Sequence, residues 1–220
     1  MENVGRLSLN TSELEHKIAA FNHILKVASA MGTSFEPHIK SVFPILQSHM
    51  TYTSRTLRKF AMKTFQHLLR AQGEPANLTL FSSTYDLFAL CILKANKNQD
   101  AKELKLLFKE LFHCMRVISE NEQPENRLPF QAADKLRTFG MVMKGCLDTV
   151  AAKKQEQMAV IEEKHQNKQI DEEDMEEVQE KLGKITGAAT YIGECTSILM
   201  EVYKKDVVGV VDSSVKNYFA

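Results

Sequence analysis

The chain has 220 residues, enough for one or two domains, and 44% of them are hydrophobic, so a sizeable buried core is expected. Its 28 Lys and Arg residues equal its 28 Asp and Glu residues, which argues against a dedicated nucleic-acid-binding protein or a polybasic membrane protein. No apolar run approaches the ~18 residues of a membrane span, so we expect no membrane partner. The balanced charge likewise leads us to expect no direct nucleic-acid partner. Any electrostatic function must come from local charge patterning.

The first half of the chain predicts two pairs of helices. Ser12 and Glu15 form a capping box that begins the first helix, and Gly32 ends it. Pro37 suits the first turn of the second helix. Apolar residues then recur every three or four positions up to a stop at Gly73 and again beyond it. The predicted helices are 12–32, 37–50, 54–71 and 78–95.

The second half continues the same pattern with longer elements. A helix begins near Asp100, the chain breaks over 121–129, and a helix resumes at Phe130. A further helix covers Met175 to Tyr203, and the last begins near Asp206. Because strand signals are almost absent, the sequence predicts an all-α fold.

The spacing of the helix pairs predicts a repeat architecture. Helices that begin near Ser12, Ser54 and Asp100 are about 42 and 46 residues apart, within the ~40–47 residues of two-helix HEAT units. This period indicates an α-α superhelix, a HEAT-repeat solenoid of about four repeats, although a compact bundle of about eight helices explains the apolar periodicity equally well. The predicted organisation is a tail (1–11), HEAT repeats (12–128), an extended hairpin with an acidic turn (129–204) and the start of another HEAT helix (205–220), all within a longer protein.

The predicted hairpin is unusual in length and in charge. A helix from Phe130 to Asn167 would extend roughly 57 Å. Spacings of three and four predict a narrow apolar seam between its two arms. The seam comprises Val150, Met158, Ile161, Met175, Val178, Leu182, Ile185, Ala189 and Ile192.

A dense group of acidic residues lies at the turn of this hairpin. Acidic residues at the start of a helix are favoured by its dipole, and this alone could explain them. Their density exceeds what a cap needs, however, so the second interpretation is an acidic contact patch that attracts a basic partner at long range. The candidate partner-binding residues are Asp171, Glu172, Glu173, Asp174, Glu176 and Glu177.

The sequence contains no pattern typical of catalysis or of a cofactor. It has no Gly-rich phosphate loop, no His-Glu-x-x-His pattern and no nucleophile elbow. The acidic run resembles a calcium loop, but Glu176 occupies the position that requires glycine. The four cysteines have no paired spacing suited to zinc and are interpreted as buried, reduced thiols of a cytoplasmic or nuclear protein. We therefore expect no enzyme, no cofactor and no metal site.

Three stretches of the chain resemble the importin-β, or karyopherin-β, family of nuclear transport receptors, most closely its karyopherin-β3 (Ran-binding protein five) branch. The stretch Ala28–Ile39 is similar to the family's short turn between paired helices, and Arg55–Phe65 is similar to the first helix of the next repeat. The third stretch is the long hairpin with its acidic turn, which leads through Tyr191 to Tyr203 and on to Val208. The order of these features along the chain carries the resemblance.

The resemblance implies a function as well as a fold. It implies binding of cargo that bears nuclear localisation signals, release by the GTP-bound GTPase Ran, and passage through the nuclear pore by contacts with Phe-Gly nucleoporins, between cytoplasm and nucleus. It also assigns a role in Ran contact to the six acidic residues given above. Two other hypotheses remain: a HEAT scaffold subunit of a phosphatase or kinase complex, and a helical accessory domain of an enzyme.

Overall fold

The computed structural model describes residues 11–122, 133–166 and 172–203, with side chains for 11–122, 138–163 and 175–202. The described residues contain seven α-helices, one short 3₁₀ helix and no strand, so the predicted all-α class is confirmed. The helices are α1 (Thr11–Met31), the 3₁₀ helix (Gly32–Phe35), α2 (Glu36–Met50), α3 (Arg55–Gln72), α4 (Ala76–Lys97), α5 (Ala101–Ser119), α6 (Ala133–Gln166) and α7 (Glu172–Tyr203).

Several predicted helix boundaries are confirmed by their capping interactions. The Ser54 side chain accepts a hydrogen bond from the Leu57 backbone N–H at 3.4 Å, and Asp100 accepts one from the Glu103 N–H at 2.9 Å. These are the N-caps of α3 and α5. Gly73 ends α3 with a φ of 66°, a conformation that glycine adopts without steric cost.

The described residues up to Gly73 form one compact unit, which contains α1, α2 and α3. In this unit α3 packs against both of the other helices. The hydroxyl of Thr64 on α3 donates a hydrogen bond to the Phe21 carbonyl of α1 at 3.2 Å. Phe65 of α3 stacks on Phe43 of α2, with ring centroids 5.8 Å apart. The hydrophobic face of α3 is thus the centre of this unit.

The second compact unit begins at Glu74 and contains α4 to α7, arranged in two layers. α5 packs along α7 in one layer, and α4 packs on α6 in the other. Contacts of α4 with α5 and of α6 with α7 join the layers. The helix α5 packs chiefly on α7 and on α4, and its strongly apolar face is shared between these two helices.

Within the described residues, α4 alone is long and apolar enough to cross a membrane by length and composition. A core helix of a water-soluble protein meets the same criterion. Here Phe81, Phe88 and Ile92 of α4 are buried, and the helix packs on α5 and α6. The helix α4 therefore contributes buried side chains to the second unit, while its Leu90 and Leu93 are exposed.

Candidate partner-binding hairpin

The two longest helices of the second unit, α6 and α7, pack along one another in opposite directions. Near one end of the pair, the Thr196 hydroxyl contacts the Met143 sulfur at 3.7 Å. Further along, Lys153 of α6 and Ile185 of α7 line the same groove. Residues at the same level of the hairpin therefore have numbers that add to about 338 or 339.

The base of the hairpin is anchored in the core of the second unit. The Cys195 thiol of α7 donates a hydrogen bond to the Phe108 carbonyl of α5 at 3.6 Å. Phe139 of α6 meets Tyr85 of α4 edge to face, with ring centroids 5.4 Å apart. Each arm is thus fixed to the neighbouring helix of its own layer by buried side chains.

The outer part of the hairpin extends past the ends of the helices that hold its base. The arms meet the N-terminus of α5 at Gln157 and Lys181, which line one groove with Ala101. From Met158 to Gln166, α6 continues beyond this point for about 13 Å. The outer turns of the hairpin therefore have mainly each other to pack against.

The predicted seam between the arms is correct at most positions and wrong at Met158. Val178 is buried, and Ile161, which faces it in the register, is half-buried. Met158 is 43% exposed. From Val150, eight residues advance the helix by about 80° beyond two full turns, which rotates Met158 off the seam. Positions that line the seam are half-buried or buried: Val150, Ile161, Met175, Val178, Leu182, Ile185, Ala189 and Ile192.

The predicted acidic residues are distributed over the tip of the second arm. Asp171 lies outside the described residues, and Glu172–Asp174 occupy the first turn of α7, where the helix dipole favours negative charge. Glu176 and Glu177 are exposed in the following turn. Glu177 also forms an ion pair with Lys181, one helical turn further, at 2.8 Å.

Sequence analysis missed two acidic residues that belong to the same surface. Glu162 and Glu163 of α6 are exposed, and the register places them at the same level of the hairpin as Glu177 and Glu176. We call these four residues the acidic tip.

Positive charge is concentrated nearer the base of the hairpin. Lys153 of α6 and both Lys181 and Lys184 of α7 line a groove together with Lys102 of α5. Lys184 forms an ion pair with Glu180 at 2.6 Å, and this interaction lowers the pKa of the Glu180 carboxyl. Lysines therefore line the groove next to α5, while Glu162, Glu163, Glu176 and Glu177 are exposed toward the tip.

The cysteines of the second unit are placed for packing. Cys114, Cys146 and Cys195 are buried, whereas Cys91 is only half-buried, unlike the prediction for it. Burial raises the pKa of the Cys146 thiol to about 12 and also raises the pKa of Cys195. These two thiols stay neutral at physiological pH and are poor nucleophiles. In the described part of the chain, no three His, Cys, Asp or Glu side chains are grouped so that they could hold a metal ion.

Comparison with known proteins adds no relative: no family model, no curated protein and no solved structure matches this chain. The site is therefore defined by its geometry alone. It is a long helical pair whose base is built into a two-layer helical unit and whose outer end presents acidic side chains from both arms. Such an arrangement is suited to binding a basic macromolecular surface.

Proposed function

We propose that this chain is a non-enzymatic interaction scaffold, a segment of a nuclear import receptor of the importin-β type. In this role it takes part in binding cargo with nuclear localisation signals, the GTPase Ran and Phe-Gly nucleoporins. It would act in the cytoplasm, in the nucleus and at the nuclear pore. The observation that carries the proposal is the acidic tip, which extends past the helices that anchor the hairpin.

The chemistry of the acidic tip favours a partner with a basic surface. Glu162, Glu163, Glu176 and Glu177 are exposed near the outer end of the two arms, so this end of the hairpin presents four carboxylates. A basic partner is steered toward such a surface at long range. Charged surfaces of this kind raise the rate of association and the specificity for the partner.

The packing of the second unit supports the HEAT-type scaffold in this proposal. Helices α4 and α6 lie in one layer and α5 and α7 in the other, so the layers alternate along the chain. Helical repeat proteins are built from such alternating layers, and small rotations between their repeats adapt an extended surface to large partners. We therefore propose that the chain is part of a HEAT-repeat superhelix.

Binding of Ran in its two nucleotide states tests the proposal directly. The chain is immobilised, and GTP-loaded and GDP-loaded Ran are titrated over it in separate experiments at low and at physiological salt. We expect GTP-loaded Ran to bind more tightly, and its affinity to fall as salt increases because the contact is electrostatic. Reversal of the six candidate acids to lysine should weaken binding at least tenfold and leave the melting temperature nearly unchanged.

A deletion variant distinguishes the contribution of the hairpin to Ran binding from that of the rest of the chain. Deletion of residues 158–180 removes the outer turns and the turn between the arms but retains Val150 and Ile185 at the base. Unchanged affinity for GTP-loaded Ran after this deletion would exclude the hairpin as its contact. Equal affinity for both nucleotide states, or none for either, would count against the import receptor and favour a HEAT scaffold of another complex.

A further inference from the structure

The lysines at the base of the hairpin surround a groove that the proposed function does not use. Lys102 of α5, Lys153 of α6 and both Lys181 and Lys184 of α7 line this groove, which has a volume of about 260 Å³. We call these four residues the lysine collar. Three separate helices thus contribute lysines to one groove beside the N-terminus of α5.

The N-terminus of α5 adds further positive potential to the same groove. The first N–H groups of a helix have no acceptor within the helix, and the helix dipole places partial positive charge there. Asp100 caps one of these groups, since its carboxylate accepts from the Glu103 N–H at 2.9 Å. Ala101 and Lys102, which precede that bond, are among the residues that line the groove. Asp100 is the one carboxylate among the lining residues, whereas four of them are lysines.

The lining also restricts the kind of ligand. Ile185 and Ala101 are its only apolar members, and the remaining residues are lysines, glutamines and Asp100. The volume lies at the low end of ordinary ligand sites, so the groove suits a small ligand rather than a folded segment. Lysine binds phosphate as a point charge and needs no fixed planar geometry.

We propose that the lysine collar binds a small soluble anion that carries several phosphate groups, of the inorganic polyphosphate or inositol polyphosphate type. The ligand bridges α5 to both arms of the hairpin, because each of the three helices contributes lysines to the groove. It therefore fixes the outer hairpin relative to the end of α5. This site adjoins the acidic tip, because Glu177 of the tip pairs with Lys181, but it does not depend on the partner proposed for the tip.

Two glutamates at the rim of the groove compete with such a ligand. Glu177 pairs with Lys181 at 2.8 Å, and Glu180 pairs with Lys184 at 2.6 Å. Lys102 also attracts the Glu180 carboxylate and contributes to its lowered pKa. Both ion pairs are exposed, so a multiply charged anion can displace them. Removal of Glu180 should consequently strengthen anion binding, whereas removal of lysines should weaken it.

Titration calorimetry with sodium tripolyphosphate, and separately with inositol hexakisphosphate, tests this proposal on the whole chain at low salt. We expect one saturable site. The double variant Lys102→Gln and Lys153→Gln should bind about tenfold more weakly for each lysine removed. The variant Glu180→Gln should bind several-fold more tightly. The control variant Lys59→Gln and Lys63→Gln removes the same charge from exposed positions of α3 and should bind as the unchanged chain does.

Circular dichroism shows whether each variant retains its helix content, so that loss of folding is not read as loss of the site. The proposal is overturned if neither anion shows saturable binding, or if the control variant loses as much affinity as the Lys102 and Lys153 double variant. It is likewise overturned if Glu180→Gln binds no more tightly than the unchanged chain. It is also overturned if vesicles that contain phosphatidylinositol bisphosphate capture the chain while both soluble anions fail to bind.

Discussion

Asn77 and Asn121 form a reciprocal pair of side-chain hydrogen bonds within the second unit. The amide nitrogen of each donates to the amide oxygen of the other, and both distances are 3.1 Å. Both residues are buried, so water does not offer an alternative partner. The pair joins the first turn of α4 to the residues that follow α5. It fixes the ends of two helices that belong to different layers.

Removal of one asparagine of this pair should lower the free energy of unfolding by more than the loss of two hydrogen bonds alone. In Asn77→Ala, the Asn121 amide loses its side-chain partner in a buried site, and we expect a loss of about 1–3 kcal/mol in the free energy of unfolding. The variant Asn121→Ala should have a similar effect. The second substitution removes the asparagine amide that the first one leaves in place. The double variant should therefore lose less free energy of unfolding than the sum of the losses in the two single variants. Urea denaturation measures these losses. Additive losses would show that the pair does not act as a unit.

At the scale of elements, the hairpin differs in packing between its base and its outer turns. Phe139, Met143 and Cys146 are buried at the base of α6, and so are Ile192 and Cys195 of α7. In the described outer turns, Val178 is the one buried apolar residue. Segments with few buried apolar contacts open locally at a lower free energy than the core. The outer hairpin should therefore exchange its amide hydrogens earlier than the base does.

Val178 is expected to hold the outer turns together. The variant Val178→Ala removes two methyl groups from the seam, which corresponds to about 1–2 kcal/mol of local stability. Hydrogen exchange of the peptides that cover 152–163 and 175–184 should accelerate, while the base and the global melting temperature change little. Met158→Ala is the matched control, since Met158 is exposed on the same turns and its truncation should leave exchange unaltered. Equal acceleration in both variants would contradict the observed seam.

The sequence predicted the elements well and the details of their packing less well. Caps at Ser54 and Asp100 set the starts of α3 and α5, because these interactions are local and can be read from neighbouring residues. Met158 was misplaced because a methionine eight residues from Val150 fits an apolar pattern without lying on the contact face. The partners of α5 could not be predicted, since apolar periodicity shows that a face is buried but not against which helix.

At the scale of the whole molecule, the net charge of zero conceals local groups of like charge. The acidic tip lies on the outer turns of α6 and α7, and the lysine collar lies nearer the base of the hairpin and includes Lys102 of α5. Composition alone could exclude a strongly basic or acidic protein, but it could not reveal this division. The acids at 171–177 were visible as a run in the sequence. The contributions of Glu162 and Glu163 required the register of the two arms.

If the local arrangement of charge rather than the net charge drives partner association, the effect of a charge reversal on affinity should depend on its position. The variant Glu162→Lys and Glu163→Lys should weaken binding of GTP-loaded Ran as much as Glu176→Lys and Glu177→Lys does, because all four residues are exposed at the outer end of the hairpin. The control Glu13→Lys and Glu15→Lys changes the net charge by the same amount on exposed positions of α1. We expect little loss of affinity in this control at physiological salt, where charges farther apart than ~8 Å are largely screened. Equal weakening by all three variants would show that overall charge, and not the acidic tip, governs association.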